Sequence, residues 1–232
     1  MKISILVSNF HRAKLFKRSL ETIKPQLQKG DEVVVADDSL FYDGMLKVLE
    51  DSGVDFQYRF LNNSKYRSGC LAKNVALKLT KNPLIIINDP EVYHVTPNIE
   101  IIRKRFEKEK RIFLVAGTMF FTTFFDQNLT NFKDMRLIEH SMAPYIGGVL
   151  RKELIAIGGW DERFKLWGND DNDLMYRLSL NGIEHKVDDS MKAIHQWHPR
   201  PPKEIIGDAN ESLLYEKDKK IIANEGGGWG KE

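Results

Sequence analysis

The sequence predicts an α/β fold built on a mostly parallel sheet, and three observations support this. Short apolar runs alternate with amphipathic stretches through the first 120 residues, the pattern of strands and covering helices. The runs are strand-sized and nearly continuous, as expected for strands buried on both faces. The chain has 232 residues, 42% of them hydrophobic and 29% charged, which is enough for a sizeable core.

Strands are expected at 3–7, 32–36, 56–60, 84–87 and 112–116, where β-branched and aromatic residues cluster. Helices are expected at 12–24, 42–52, 69–80 and 98–110, with Gly30 and Gly53 terminating the first two. Past the strand at 112–116, an aromatic-rich stretch to residue 125 reads as a lining loop. Gly147-Gly148 reads as a turn ahead of a short helix at 152–157, which Gly158-Gly159-Trp160 ends. The acidic run Asn169-Asp170-Asp171-Asn172-Asp173 opens another helix, which Gly182 closes. Short strands at 183–187 and 192–194, a charged helix at 208–224 and a flexible tail through Gly226–Gly230 complete the reading.

Composition excludes several classes. A formal net charge of +2 with interspersed signs leaves no nucleic-acid footprint. The single cysteine, Cys70, cannot form an intrachain disulfide, which fits a reducing compartment. No apolar run is long enough for a bilayer span and the N-terminus lacks a leader pattern, so a cytoplasmic location is expected. Peripheral membrane association stays open. There is no Walker A loop, dinucleotide glycine fingerprint or Gly-x-Ser-x-Gly elbow.

The polar residues that end successive strands carry more information. Ser8-Asn9, Asp37-Asp38-Ser39, Asn62-Asn63 and Asn88-Asp89 each follow an apolar run. In open α/β sheets the carboxyl ends of parallel strands line the ligand crevice. Turn chemistry explains any one of these ends but is a weaker account of the whole set. Asp89-Pro90-Glu91 puts two hard oxygen donors at that edge. With a histidine from His195 or His198 they form a candidate metal set, and imidazole tilts the preference from Mg²⁺ towards Mn²⁺. Loop packing beside Trp197 is the plain alternative for those histidines. In Trp167-Gly168-Asn169-Asp170-Asp171-Asn172-Asp173, an indole can hold a sugar face and a fixed carboxylate can take a hydroxyl proton. Acids in a first turn also serve the helix dipole, with Asn169 or Asp170 as N-cap. On the run alone both readings stand.

Taken in order, Ser8-Asn9, Asp37-Asp38-Ser39, Leu71-Ala72-Lys73-Asn74, Asp89-Pro90-Glu91, Gly147-Gly148, Trp167–Asp171 and a late histidine resemble a GT-A-fold glycosyltransferase of the family 2 type. The stretch from Gly147 to Leu178 is similar to the acceptor side of β-1,4-galactosyltransferases and chondroitin-polymerase-like enzymes. The resemblance covers about residues 2–200. It implies one GT-A domain over 1–202, with a nucleotide-sugar half (1–120) and an acceptor half (121–202), followed by a helix and tail at 203–232.

The resemblance also implies roles. Ser8, Asn9, Asp37 and Asp38 would contact the nucleoside, and Lys73 and Asn74 the ribose and diphosphate. Gly147 and Gly148 would form a close-approach turn at the donor. Trp167, Gly168 and Asp170 would bind the acceptor, and Asp171 would act as general base. Asp89, Glu91 and His195 would hold the metal, with His198 the second choice. Glu91 departs from the family's second aspartate. The implied reaction is inverting transfer from a nucleotide-diphosphate sugar, with UDP favoured, to a hydroxyl on a glycan or glycoconjugate. A noncatalytic carbohydrate-binding protein, a degenerate relative and a sugar nucleotidyltransferase are the alternatives.

Overall fold

The structure is a computed structural model that describes residues 1–61, 69–124, 126–165, 168–199, 208–216 and 220–231. Asn62, Asn63 and Trp167 therefore lie outside the described residues. The first half follows its sequence pattern closely. Strands β1 (Ile3–Asn9), β2 (Glu32–Asp37), β3 (Phe56–Phe60) and β4 (Leu84–Asn88) alternate with helices α1 (Ala13–Ile23), α2 (Met45–Ser52) and α3 (Gly69–Leu79). These four strands pair in parallel in the order β3-β2-β1-β4. Gly53 caps α2 in the left-handed conformation at φ 68°, as expected of a C-terminal glycine. Gly30 does not terminate α1. The helix ends at Ile23 and a 3₁₀ turn over Lys24–Gln26 follows, so Gly30, with φ 91°, shapes the turn into β2.

The second half is mixed in direction. It adds β5 (Val92–His94), α4 (Asn98–Lys108), β6 (Ile112–Phe121), β7 (Arg136–Ile138), β8 (Ile146–Leu150), α5 (Arg151–Ala156), α6 (Asp170–Leu180), β9 (Glu184–His195) and α7 (Asp208–Leu214). Among the described residues the sheet runs β3-β2-β1-β4-β8-β6-β9-β5, with β7 on β6. β8 is antiparallel to both β4 and β6, and β5 is antiparallel to β9. The parallel character therefore holds for β1 to β4 and not for the whole sheet.

Alternation along the strands fills two cores. Ile3, Ile5, Val7, Val33, Val35 and Ile86 pack with Phe16, Met45, Ile102 and Phe106 from α1, α2 and α4 on one face. On the other face Leu6, Val34, Ala36, Ile85 and Ile87 meet Val75, Leu154, Leu174 and Leu178 from α3, α5 and α6.

Three expectations change here. Gly147 and Gly148 form no turn; they sit inside β8 opposite Ile87 and Ile86. A Cβ on Gly147 would lie 2.8 Å from the Phe113 ring, and one on Gly148 would lie 2.4 Å from Cγ2 of Ile102. Packing on both faces of the sheet explains the pair. The two short strands at 183–187 and 192–194 are one long strand, β9, with a bulge against Ala116 and Thr118 of β6. The glycine-rich tail is also not free of the body. Trp229 is buried in the second core with Lys78 Nζ 3.6 Å from its ring centroid, and Gly230 N donates to Glu162. The C-terminal helix is shorter than expected, as Asp208–Leu214.

Candidate active site

Strand pairing builds the first half of the site. The antiparallel match of Val92 with His195 brings Glu91 beside the end of β9. Gln196, fully buried, ties the crossing by donating Nε2 to the carbonyls of Glu91 and Leu15 and to Ser19 Oγ. Past Gln196 the chain turns and returns His198 to the same carboxylate. The Nε2 atoms of His198 and His195 lie 2.9 Å and 3.6 Å from Glu91 Oε1. Ligand atoms of Glu91, His195 and His198 all fall within 4.8 Å of one another, a group that could hold a metal ion.

Both histidines therefore join the set, where one was expected. Asp89 lies outside this group, though it is close enough to Glu91 for their charges to interact. Burial and the charge of Glu91 push the Asp89 carboxyl well above the usual range. Burial also works against ionisation of Glu91. His198, His195 and Arg12 outweigh it and hold Glu91 down to about 2.

Arg12 has no assigned role in the sequence reading, and its Nη2 donates to His198 Nδ1 at 2.8 Å. That contact makes Nδ1 an acceptor and leaves the imidazole proton on Nε2, facing Glu91. Arg12 lies three residues past the end of β1, at the carboxyl edge of the sheet, and that position is the signal that could have drawn attention to it.

The second half of the site stands at the start of α6. Asn169 occupies the N-cap at φ 65° but makes no side-chain capping bond, and Asp170, Asp171 and Asp173 fill the first turn. Lys73, reaching from α3, donates to Asp170 Oδ2 at 2.8 Å and to Asp171 Oδ1 at 2.9 Å. The Lys73 and Asp170 side chains are 10% and 18% exposed, whereas that of Asp171 is 42% exposed, so Asp171 is the carboxylate that faces outward. Burial raises the Asp171 carboxyl, Lys73 pulls it back, Asp170 raises it again, and the net shift is upward. The Trp160 indole N–H makes no hydrogen bond of good geometry, yet it lies near enough to Asp171 to favour its charge. Asp173 is structural. It is buried against Arg177, whose Nη1 also donates to the carbonyls of Ile157 and Gly159, locking α6 to the end of α5.

Several residues expected at the nucleotide are taken up internally. Asn9 and Asp37 are 1% and 0% exposed and bond each other at 2.8 Å. Asp37 also accepts from Tyr58 Oη and Ser39 N, while Asn9 Oδ1 accepts from Arg12 N ahead of α1. These bonds tie the end of β1 to the end of β2 and shape the crevice edge. Asn74, fully buried, clamps both backbone polar groups of Trp160. Ser8 and Gly168 are half-buried, and Asp38 is buried.

The comparisons bear on this arrangement. Residues 134–200 match the family described as the N-terminal domain of galactosyltransferase. A chondroitin synthase of Escherichia coli is 25% identical over 91% of this chain, and the chain spans 37% of that protein. The chain has the GT-A fold and is similar in sequence to a glycosyltransferase along most of its length. Solved structures agree on the fold. A mannosyltransferase from Pyrobaculum calidifontis, in complex with GDP-Man and Mn²⁺, superposes with a TM-score of 0.64 at 13% identity, over 92% of this chain and 61% of that one. S. aureus TarS, in complex with UDP-GlcNAc, gives 0.65 at 15% identity, over 87% and 60%.

Proposed function

We propose that this domain transfers a sugar from a nucleotide-diphosphate donor, with UDP favoured, to an acceptor hydroxyl with inversion, and that Asp171 is the general base. The observation that carries the reading is a donor-side cluster of Glu91, His195 and His198 linked to the acceptor-side acids held by Lys73 through Asp89, whose charge interacts with Glu91, Lys73, Asp170 and Asp171. Both solved structures of this fold are complexes with a nucleotide sugar, GDP-Man in one and UDP-GlcNAc in the other, which supports that donor class.

One carboxylate and two imidazoles suit a divalent cation of borderline softness and favour Mn²⁺ over Mg²⁺. Glu91, His195 and His198 are the residues that would hold such a cation, which supplies positive charge for the departing diphosphate. Arg12 and the Pro199 carbonyl both lie at His198 Nδ1 and orient the ring that would help hold the cation.

Asp171 takes the acceptor proton as the hydroxyl attacks the anomeric carbon. Its raised basicity favours that step, and Lys73 keeps it ionised and oriented. Single displacement follows, because a base placed for the acceptor has a direct use in inversion. Positioning and fixed charge then carry most of the barrier.

Asp171→Asn removes the base and keeps the shape. We expect transfer to fall at least a hundredfold while donor binding, read by nucleotide-dependent thermal stabilisation with Mn²⁺, persists. Unchanged turnover would refute the base assignment, and no stabilisation by any nucleotide would refute the donor site.

A further inference from the structure

We infer that the segment Ala223–Gly230 is a positioning strap, which holds the turn at Trp160 so that Lys73 and the Asp171 carboxylate keep their relative geometry. This role rests on the reading of Asp171 as the base and adds remote residues to that site.

The contacts converge on one turn. Residues Ile157–Trp160 follow α5, with Gly158 and Gly159 both left-handed at φ 75° and 69°. Glycines in that conformation move easily, so the turn depends on what grips it. Arg177 of α6 donates to the carbonyls of Ile157 and Gly159. Asn74 of α3 pairs with the N–H and the carbonyl of Trp160, each at 2.8 Å. The strap is the third partner. Ala223 N donates to the Ile157 carbonyl at 2.9 Å, and Asn224 Nδ2 donates to the carbonyls of Gly158 and Trp160 at 2.9 Å and 2.6 Å. Glu162 joins strap and helix. Its N–H donates to Asn224 Oδ1, and its Oε1 accepts from Asn74 Nδ2 and from Gly230 N. The fit leaves no slack. A Cβ on Gly158 would lie 2.2 Å from the Ala223 carbonyl oxygen, and one on Gly159 would lie 3.0 Å from the Trp229 indole.

This turn is where the two sides of the proposed base meet. Lys73 directly precedes Asn74 on α3, and Asp171 opens the helix that Arg177 anchors. The Trp160 ring lies between them, with Lys73 Nζ 5.6 Å from its centroid and Asp171 near its N–H. A tail that merely covered apolar surface would need only Ala223 and Trp229. Asn224 instead commits both amide hydrogens and its oxygen to the turn and to Glu162, from a left-handed backbone at φ 56° that asparagine tolerates.

Asp171 itself is the readout. Its carboxyl is titrated by ¹³C NMR on aspartate-labelled full-length chain, the signal being assigned through its loss in Asp171→Asn. The charged groups that bear on it are Lys73 from α3, Asp170 from its own helix and Asp89 from the β4–β5 turn. Lys73 and Trp160 lower the carboxyl, so loosening either raises it. Asn224→Gly keeps the backbone conformation and removes the amide, and the midpoint should move up by about half a pH unit while thermal unfolding stays cooperative. In a Lys73→Met background the same substitution should move it far less, because the partner being positioned is gone. Trp229→Ala should act as Asn224→Gly does, and Trp229→Phe, which keeps an aromatic face for Lys78, should restore the midpoint. An unmoved midpoint in Asn224→Gly, or an equal move with and without Lys73, overturns the strap. A strap-dependent midpoint alongside undiminished transfer by Asp171→Asn would leave the strap standing and refute the base.

Discussion

A lysine as buried as Lys73 needs partners for its charge, and its two partners include the proposed base. Its effect on Asp171 has a definite sign. Burial and Asp170 raise the carboxyl, and Lys73 lowers it. A base works only when deprotonated, so activity should fall as pH drops through the raised Asp171 value. In Lys73→Met the lowering influence is gone. The acid limb of kcat/KM should move to higher pH, and the rate near neutrality should drop by about tenfold or more. A limb that stays in place would show that Lys73 does not tune the base. His94 gives a second residue-scale expectation. Burial lowers its imidazole from 6.5 to about 3, and Nε2 pairs with Asn88 Oδ1 at 2.8 Å. The fold keeps this ring neutral, while the unfolded chain protonates it below its ordinary value. Its contribution is therefore whole above about pH 6.5 and is lost as pH falls towards 3, a span of up to about 4–5 kcal/mol. Thermal unfolding against pH should be flatter across that window in His94→Gln.

At the scale of elements, the glycine pair of β8 separates packing from ligand contact. The Gly148 position faces Ile102 and Phe106 of α4, and the methyl of Gly148→Ala would lie 2.4 Å from Cγ2 of Ile102. We expect a loss of about 1–3 kcal/mol, visible as a lower unfolding temperature, with nucleotide affinity retained. Reduced affinity at unchanged stability would restore a donor role for the pair. The same element shows where sequence reading stops. Two adjacent glycines carry turn chemistry on their face, and only the positions of Phe113 and Ile102 reveal a strand that needs bare backbone. β9 was split in the reading because Asp188-Asp189-Ser190 interrupts its apolar character, whereas pairing with β6 carries it through. In the first half each strand is a continuous apolar run bounded by polar turns, so β1 to β4 and α1 to α4 were legible to within a few residues. The acidic run also resolved as its spacing suggested, with Asp173 inward on Arg177 and Asp171 outward.

At the scale of the whole molecule, the site is a product of topology. Glu91 lies over a hundred residues before His195, and only the β5–β9 pairing brings them together. The i, i+3 spacing of His195 and His198 was visible, but the turn that returns both to one carboxylate was not, because Gln196 fixes it through three distant acceptors. Likewise a Gly-Gly-Gly-Trp-Gly composition says nothing of the indole-sized place that Trp229 fills beside Lys78. No helix among the described residues is long and apolar enough to cross a membrane. The insertion of β8 between β4 and β6 also bears on how the chain is made. Until residues 146–150 are available, β4 (Leu84–Asn88) is the open edge of a parallel four-stranded sheet, an apolar strand with unpaired backbone. Closing that edge is a long-range event of the kind that slows folding, so the half-made chain passes through a stage in which association with its own copies competes with completion. The strand that joins the two parts of the sheet also closes that window.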